Sequence, residues 1–272
     1  MTSALGLGVL SWKAPETLAV TLQSHRDGGL PDLFDEQLVL LQESDETSRG
    51  VVDRFGYHAH NIDDNKGILG GFDALAATMA SEVILITEND FPLVEQSEVV
   101  SAQIKRAFEL IEEDEADIVL LRSRDKPGSP FDIGDKYPRY FPGTDATLRA
   151  QLAGLARRTL RPGKARRLRA RSTCIAHDAP KIAPFAIADL GAGFHLTNSQ
   201  FLPWTNNPFM VRRSFFIDTL LAFAKAAPTK RRVNGFKNLE IELNCEWWRK
   251  SQFRIVHAPG LFTHGRVGDR GY

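Results

Sequence analysis

Residues 83–90 read VILITEND. Four apolar residues and a threonine in a row, without the alternation of a half-solvated strand, describe a strand buried on both faces. The run ends abruptly in Glu88-Asn89-Asp90. On an extended chain, residues two apart point to the same face, so Glu88 and Asp90 present two carboxylates together at a strand end. Asn and Asp are also common in turns and helix caps after strands. The motif gains its meaning from its neighbours.

Those neighbours repeat the pattern. Residues 5–12 (LGLGVLSW) read as a strand, followed by a helix that opens at Pro15, carries Leu18 and Leu22 one turn apart and ends at Gly28-Gly29. Residues 37–43 (QLVLLQE) form a second strand, 45–55 a short helix and 57–63 a weaker third strand. Leu69, Phe72, Ala76 and Met79 mark a helix before VILITEND; Val100, Ile104, Phe108 and Ile111 mark another after it, and 118–121 (IVLL) closes the series. Repeated βα units of this length predict an α/β, Rossmann-like, mostly parallel central sheet with helices on both faces. The second half is more irregular. Residues 125–144 are rich in Pro, Gly and Asp and predict a long loop, 214–227 and 239–250 predict helices, and 254–257 predict a last strand. The expected organisation is one domain, 1–272, with a nucleotide-binding half at 1–125 and a more variable half at 126–272.

Composition removes several classes. Thirty-four basic residues balance thirty-four acidic ones, so only local clustering can point to a polyanionic partner. Cys174 and Cys245 build neither a disulfide framework nor a zinc site, which favours a reducing compartment. Residues 1–9 lack a basic segment followed by a sustained apolar one, and no apolar run approaches the ~20 residues of a membrane helix. The expectation is a soluble, cytoplasmic protein, peripheral to a membrane at most.

In an open parallel sheet, ligands bind at the carboxyl ends of the strands. Here those ends carry Ser11-Trp12, Gln42-Glu43, Asp63-Asp64-Asn65 and Glu88-Asn89-Asp90. Acids gathered at one edge repel one another. A divalent cation, Mg2+ or Mn2+ with oxygen ligands and substrate phosphates, is the usual compensation.

The order of these features resembles the nucleotide-sugar half of GT-A glycosyltransferases, family 2 in particular. The resemblance rests on the strand ending in Ser-Trp, the strand ending in Gln-Glu, the Asn65-Lys66-Gly67-Ile68 segment and VILITEND, and it covers the first 125 residues best. Glu88-Asn89-Asp90 stands where that fold carries Asp-x-Asp, with Glu in place of the first Asp. The resemblance implies transfer of a sugar from a nucleotide-diphosphate donor to a glycan, glycolipid or glycoprotein acceptor. It implies that Ser11 borders the base, Glu43 meets the base or ribose, Asn65 and Lys66 line the nucleotide pocket with Glu88 and Asn89, and Asp90 binds the metal. Residues 234–248 (NGFKNLEIELNCEWW) resemble the acceptor-side helix of the same enzymes, where a carboxylate near the start is the catalytic base. Glu240 and Glu242 point in different directions on a helix, and Glu240 lies nearer the start. A base on the acceptor side implies inversion. His264, in 260–266 (GLFTHGR), resembles the late histidine that completes the metal site, and Arg266 or Arg270 would offset charge on the leaving diphosphate. Residues 205–213 (TNNPFMVRR) resemble an acceptor-side turn. Trp204, Trp247 and Trp248 could stack on sugar rings, although core packing is the commoner fate of tryptophan.

Residues 157–171 carry eight basic side chains and no acid. A solvated face, an anionic membrane surface and an acidic glycan all suit such a run. Nucleic acid does not, because no aromatic residue is interleaved to stack on bases. Two other functions compete with a transferase. A sugar-phosphate nucleotidyltransferase would carry a glycine-rich, basic loop after the first strand, and 5–18 holds none. A non-catalytic nucleotide- or glycan-binding module would have no use for the retained acids.

Overall fold

In the computed structural model, residues 3–128 and 136–267 are described. Their strands are β1 (Leu5–Trp12), β2 (Glu36–Gln42), β3 (His58–Ile62), β4 (Val83–Glu88), β5 (Ile118–Arg122), β6 (Ala188–Asp189), β7 (His195–Asn198), β8 (Phe209–Arg212) and β9 (Arg254–Phe262). They form one sheet in the order β3-β2-β1-β4-β8-β5-β9-β7-β6. The first four are mutually parallel, as the βα repeats predict. Strands of both halves of the chain therefore share one sheet.

The strands bury both faces. Leu7, Val9, Val39, Leu41, Val83, Leu85, Val119 and Leu121 enter one core; Leu10, Leu38, Leu40, Ile84, Ile86, Ile118 and Leu120 enter the other. Helices α1 (Pro15–Asp27), α2 (Glu46–Phe55) and α4 (Ser97–Glu112) cover the first face with Leu18, Leu22, Val52, Val100 and Ile104. Helix α3 (Gly67–Thr78) covers the second with Leu69, Phe72 and Leu75, beside the helical segments 213–226 and 239–251. Local signals set the boundaries. Pro15 opens α1; the Asp45 carboxylate accepts the Ser48 N–H at 2.7 Å to cap α2, which ends at Gly56 with a φ of 75°.

At several points the structure extends or corrects the sequence reading. Strand β8 slots antiparallel between β4 and β5, so residues 205–213 are a turn that runs straight into a central strand. Residues 239–250 are two short helices, Leu239–Leu243 and Glu246–Ser251, broken at Asn244-Cys245. The expected loop at 125–144 contains the helix α5 (Lys136–Tyr140). The basic run falls in a helical hairpin, α6 (Leu148–Leu160) and α7 (Pro162–Thr173), interrupted at Arg161 where Pro162 starts a new helix.

Strand β9 extends five residues beyond the expected 254–257. Its end runs antiparallel to the segment that leaves β4: Val94 N–H donates to Leu261 O at 2.9 Å, Thr263 N–H to Pro92 O at 3.0 Å, and Gly265 N–H to Asp90 O at 2.9 Å. Gln103 on α4 fixes the bend before this exit. Its amide donates to Gly260 O at 3.2 Å and accepts Gly260 N–H at 2.9 Å, with all four groups buried. Leaving two buried backbone groups unpaired costs about 1–3 kcal/mol each. Gln103→Leu, close in volume but unable to hydrogen-bond, should lower the unfolding free energy by about 2–4 kcal/mol. Urea titration of both proteins measures this, and an unchanged midpoint would remove the clamp.

Candidate active site

The neighbouring order β3-β2-β1-β4 brings the carboxyl ends of these strands to one edge. Gln42 is buried there, and its side-chain oxygen accepts the Lys66 backbone N–H at 2.9 Å. One residue earlier, the Asn65 side-chain oxygen accepts the Gly67 N–H at 2.8 Å. Gly67 has a φ of 66°, and a Cβ placed on it would lie 2.5 Å from Phe236 Cβ. The tight start of α3 thus requires glycine twice over, for its backbone and for the turn packed against it. Leu10, Trp12, Asn65, Glu88 and Asn89 line a cavity of about 120 Å³, closed on its far side by Val233, Asn234 and Phe236.

At the end of β4 the charges converge. The Asp90 carboxylate is buried, and its Oδ2 lies 2.9 Å from an Arg266 guanidinium nitrogen and 3.4 Å from His264 Nε2. Burial alone would raise Asp90. His264 and Arg266 outweigh it and hold the carboxyl below the usual range. Glu88 behaves in the opposite way. Burial, with repulsion from Asp90 and Glu240, pushes its carboxyl up to about 8 against the attraction of Arg266. The His264 ring is further oriented by an edge contact with Phe91, at 5.2 Å between centroids.

The short helix that starts at Leu239 supplies Glu240. Asn238 caps it by accepting the Glu240 N–H at 2.9 Å. The Glu240 carboxylate accepts the Asn206 N–H at 3.0 Å and lines a second, larger cavity of about 630 Å³ together with Arg122, Thr205 and Asn207. Arg122, at the end of β5, donates to Asn207 Oδ1 at 3.0 Å. Glu242 faces away from this cleft: it is buried, and neither carboxylate oxygen is hydrogen-bonded among the described residues. Glu88 borders the small cavity, Glu240 the large one, and the charge of Glu240 is felt at Glu88.

Among the described residues, no three His, Cys, Asp or Glu side chains gather into a metal cage. A carboxylate with an imidazole at its edge nevertheless suits Mg2+ or Mn2+, which commonly take one or two protein ligands and complete their shell with water and substrate phosphate. Arg266 holds the same oxygen of Asp90, so cation and guanidinium would have to divide the carboxylate between its two oxygens.

No protein-family model matches the chain, and no curated protein matches it in sequence. Solved structures do match in fold. Staphylococcus aureus TarS 1-349 in complex with UDP superposes with a TM-score of 0.53 at 11% identity, over 96% of this chain and 60% of that one. The same protein in complex with UDP-GlcNAc gives 0.51 at 13%, over 99% and 61%. A mycobacterial protein gives 0.52 at 11%, over 99% and 69%. The chain shares the mixed α/β fold of these structures. It spans about three-fifths of the TarS 1-349 chain. At such identities the likeness describes architecture, and substrate must be argued from side chains.

Within this fold the sequence-predicted residues separate into two sets. Asn65, Glu88 and Asn89 line the small cavity, Glu240 lines the large one, and Asp90 and His264 meet. Ser11, Glu43 and Lys66 each sit one residue from a lining position. The Glu43 carboxylate is engaged within the protein, accepting Trp12 Nε1–H at 2.7 Å and pairing with Lys13 at 2.9 Å; these contacts hold it below the usual carboxylate range. Trp204 and Trp248 are buried in the core and only border the large cavity, while Trp247 stacks on Phe223 at 3.8 Å. Arg270 lies outside the described residues. Sequence reasoning missed Arg122; it placed Asn206 in an acceptor-side turn without a role, and it read 234–238 as the start of an acceptor-side helix where the structure has a turn against Gly67. A polar residue closing an apolar strand, as Arg122 does, was the available signal for the first.

Because the folded protein keeps the Glu88 proton to about pH 8 while the unfolded chain releases it near 4.5, Glu88 makes stability fall as pH rises across that window. Glu88→Gln should flatten this fall in metal-free protein. Unfolding free energies at about pH 5 and about pH 8 test the assignment; an equal loss in both proteins would refute it.

Proposed function

We propose that this protein is a metal-dependent glycosyltransferase that moves a sugar from a nucleoside-diphosphate donor to an acceptor hydroxyl. The observation that carries the reading is Asp90, buried at the end of β4 and met there by His264 and Arg266 from the far end of the chain. A carboxylate, an imidazole and a guanidinium at one point suit a polyphosphate, whose charge needs compensation as it leaves. Binding of UDP and UDP-GlcNAc by TarS, which shares the fold, makes a uridine diphosphate donor the first to try.

In this reading Asn65, Gln42 and the start of α3 seat the nucleotide in the small cavity, and the acceptor enters the large one. Asp90 and His264 are the residues that would hold a divalent cation, which would supply positive charge to the departing diphosphate. Arg266 adds a fixed positive charge beside them. Glu240 removes the proton from the attacking hydroxyl. With the base on the acceptor side and the donor phosphates on the other, displacement inverts the anomeric centre. Glu88, kept protonated, limits the repulsion between Asp90 and Glu240 and a negative donor.

Donor binding is read by thermal shift. UDP, GDP, dTDP and CMP, alone and as sugar conjugates, are compared with and without Mn2+. A donor at 100 times its dissociation constant should stabilise the fold by ~2.7 kcal/mol. The shift should require Mn2+ and vanish in Asp90→Ala; a metal-independent shift that survives in Asp90→Ala would refute the metal assignment. Catalysis is read separately. Glu240→Gln keeps an oxygen for the Asn206 N–H, so the fold should hold while kcat falls about 10²–10⁴-fold with little change in donor affinity. Turnover near the wild-type rate would place the base elsewhere.

A further inference from the structure

The α6–α7 hairpin carries a surface that the proposed reaction does not use. Leu148, Leu152 and Leu155 on α6 are 72%, 58% and 54% exposed, and Leu160 at its end is 80% exposed. At 100° per residue the first three fall within an arc of about 60°, a continuous apolar ridge along the helix. Other sides of the hairpin are the anchored ones. Gly154 packs against Pro142 and Tyr140, Arg158 donates to Tyr140 O at 2.5 Å, and the Lys164 ammonium lies over the Tyr140 ring. The ridge therefore points outward by construction. Large leucines exposed singly need no explanation, whereas an aligned row does.

The net charge of the hairpin selects its occupant. Residues 148–173 contain nine basic side chains and no acidic one. A second copy of the hairpin would bring nine like charges against nine, which opposes self-association. An anionic lipid surface offers the complement to both features, an apolar layer for leucine and phosphate for arginine. We propose that α6 lies in the headgroup layer of an anionic membrane, its leucines inserted and the hairpin's arginines on the lipid phosphates. This binding stands independently of the transferase reading. It also has a geometric consequence, because α7 lends Lys164, Arg167 and Arg171 to the large cavity, and docking brings that cavity to the lipid surface.

Flotation of the full chain tests the proposal. The protein should float with vesicles of phosphatidylcholine containing about one-third phosphatidylglycerol, and about tenfold less with phosphatidylcholine alone or at high salt. Leu152→Ser with Leu155→Ser should reduce binding about tenfold although every charge remains. Arg161→Gln with Arg169→Gln should do the same with every leucine in place. All these side chains are exposed, so thermal midpoints should match the wild type. Failure of the wild type to float, equal flotation with neutral vesicles, or a leucine variant that floats like the wild type would each overturn the proposal. So would a leucine-dependent dimer in sedimentation without vesicles.

Discussion

The antiparallel pairing of the chain that leaves β4 with the chain that leaves β9 is the constraint on which the site depends. Three backbone hydrogen bonds, from Val94, Thr263 and Gly265, tie the two segments. They set His264 and Arg266 beside Asp90 without any requirement on the charges themselves. Gln103 holds the bend at Gly260 that aims the exit. The ionic contacts are consequences of this backbone arrangement, and their strength comes from the burial of Asp90.

A division of labour follows from the sheet. The parallel strands β1, β2 and β4 present a rim of polar ends, and the turn at 233–238 closes over it with Phe236 on Gly67. Inserting β8 between β4 and β5 displaces β5 sideways and opens the larger space above Asn207 and Arg122. The two acids that face these spaces are held differently. Burial, with negative neighbours, keeps Glu88 protonated, whereas Glu240 takes a backbone N–H from Asn206. Opposite environments for two nearby carboxyl groups are how one site supports distinct proton roles.

The parallel half was legible because three of its four strands, β1, β2 and β4, are apolar runs long enough to be unambiguous, and because proline, glycine and aspartate mark its helix ends. The second half was not, for local reasons. Strand β8 has four residues and β6 only two; pairing, not pattern, makes them strands. The break at Asn244 interrupts a segment with helical periodicity throughout, and the Asn244 side chain is instead bonded to the Trp204 backbone on both sides. Asp90 and His264 could be matched through family resemblance, but nothing in spacing foretold that Arg266 would share the same oxygen. The α6 leucines show the limit most clearly: periodicity reports that leucines share a face and is silent on whether that face is inside or out.

Arg266 and Asp90 are 176 residues apart in the chain. Closing so long a loop is entropically slow, and contacts of this range form late in folding. The parallel strands can assemble from local βα units well before that closure. Until it happens, Glu88 and Asp90 stand at a strand end without their cation partners, so a folded first half is an electrostatically unfinished one. On the proposed function, a chain whose last strand has not joined the sheet lacks the cation partners of Asp90, and with them a complete site for a donor.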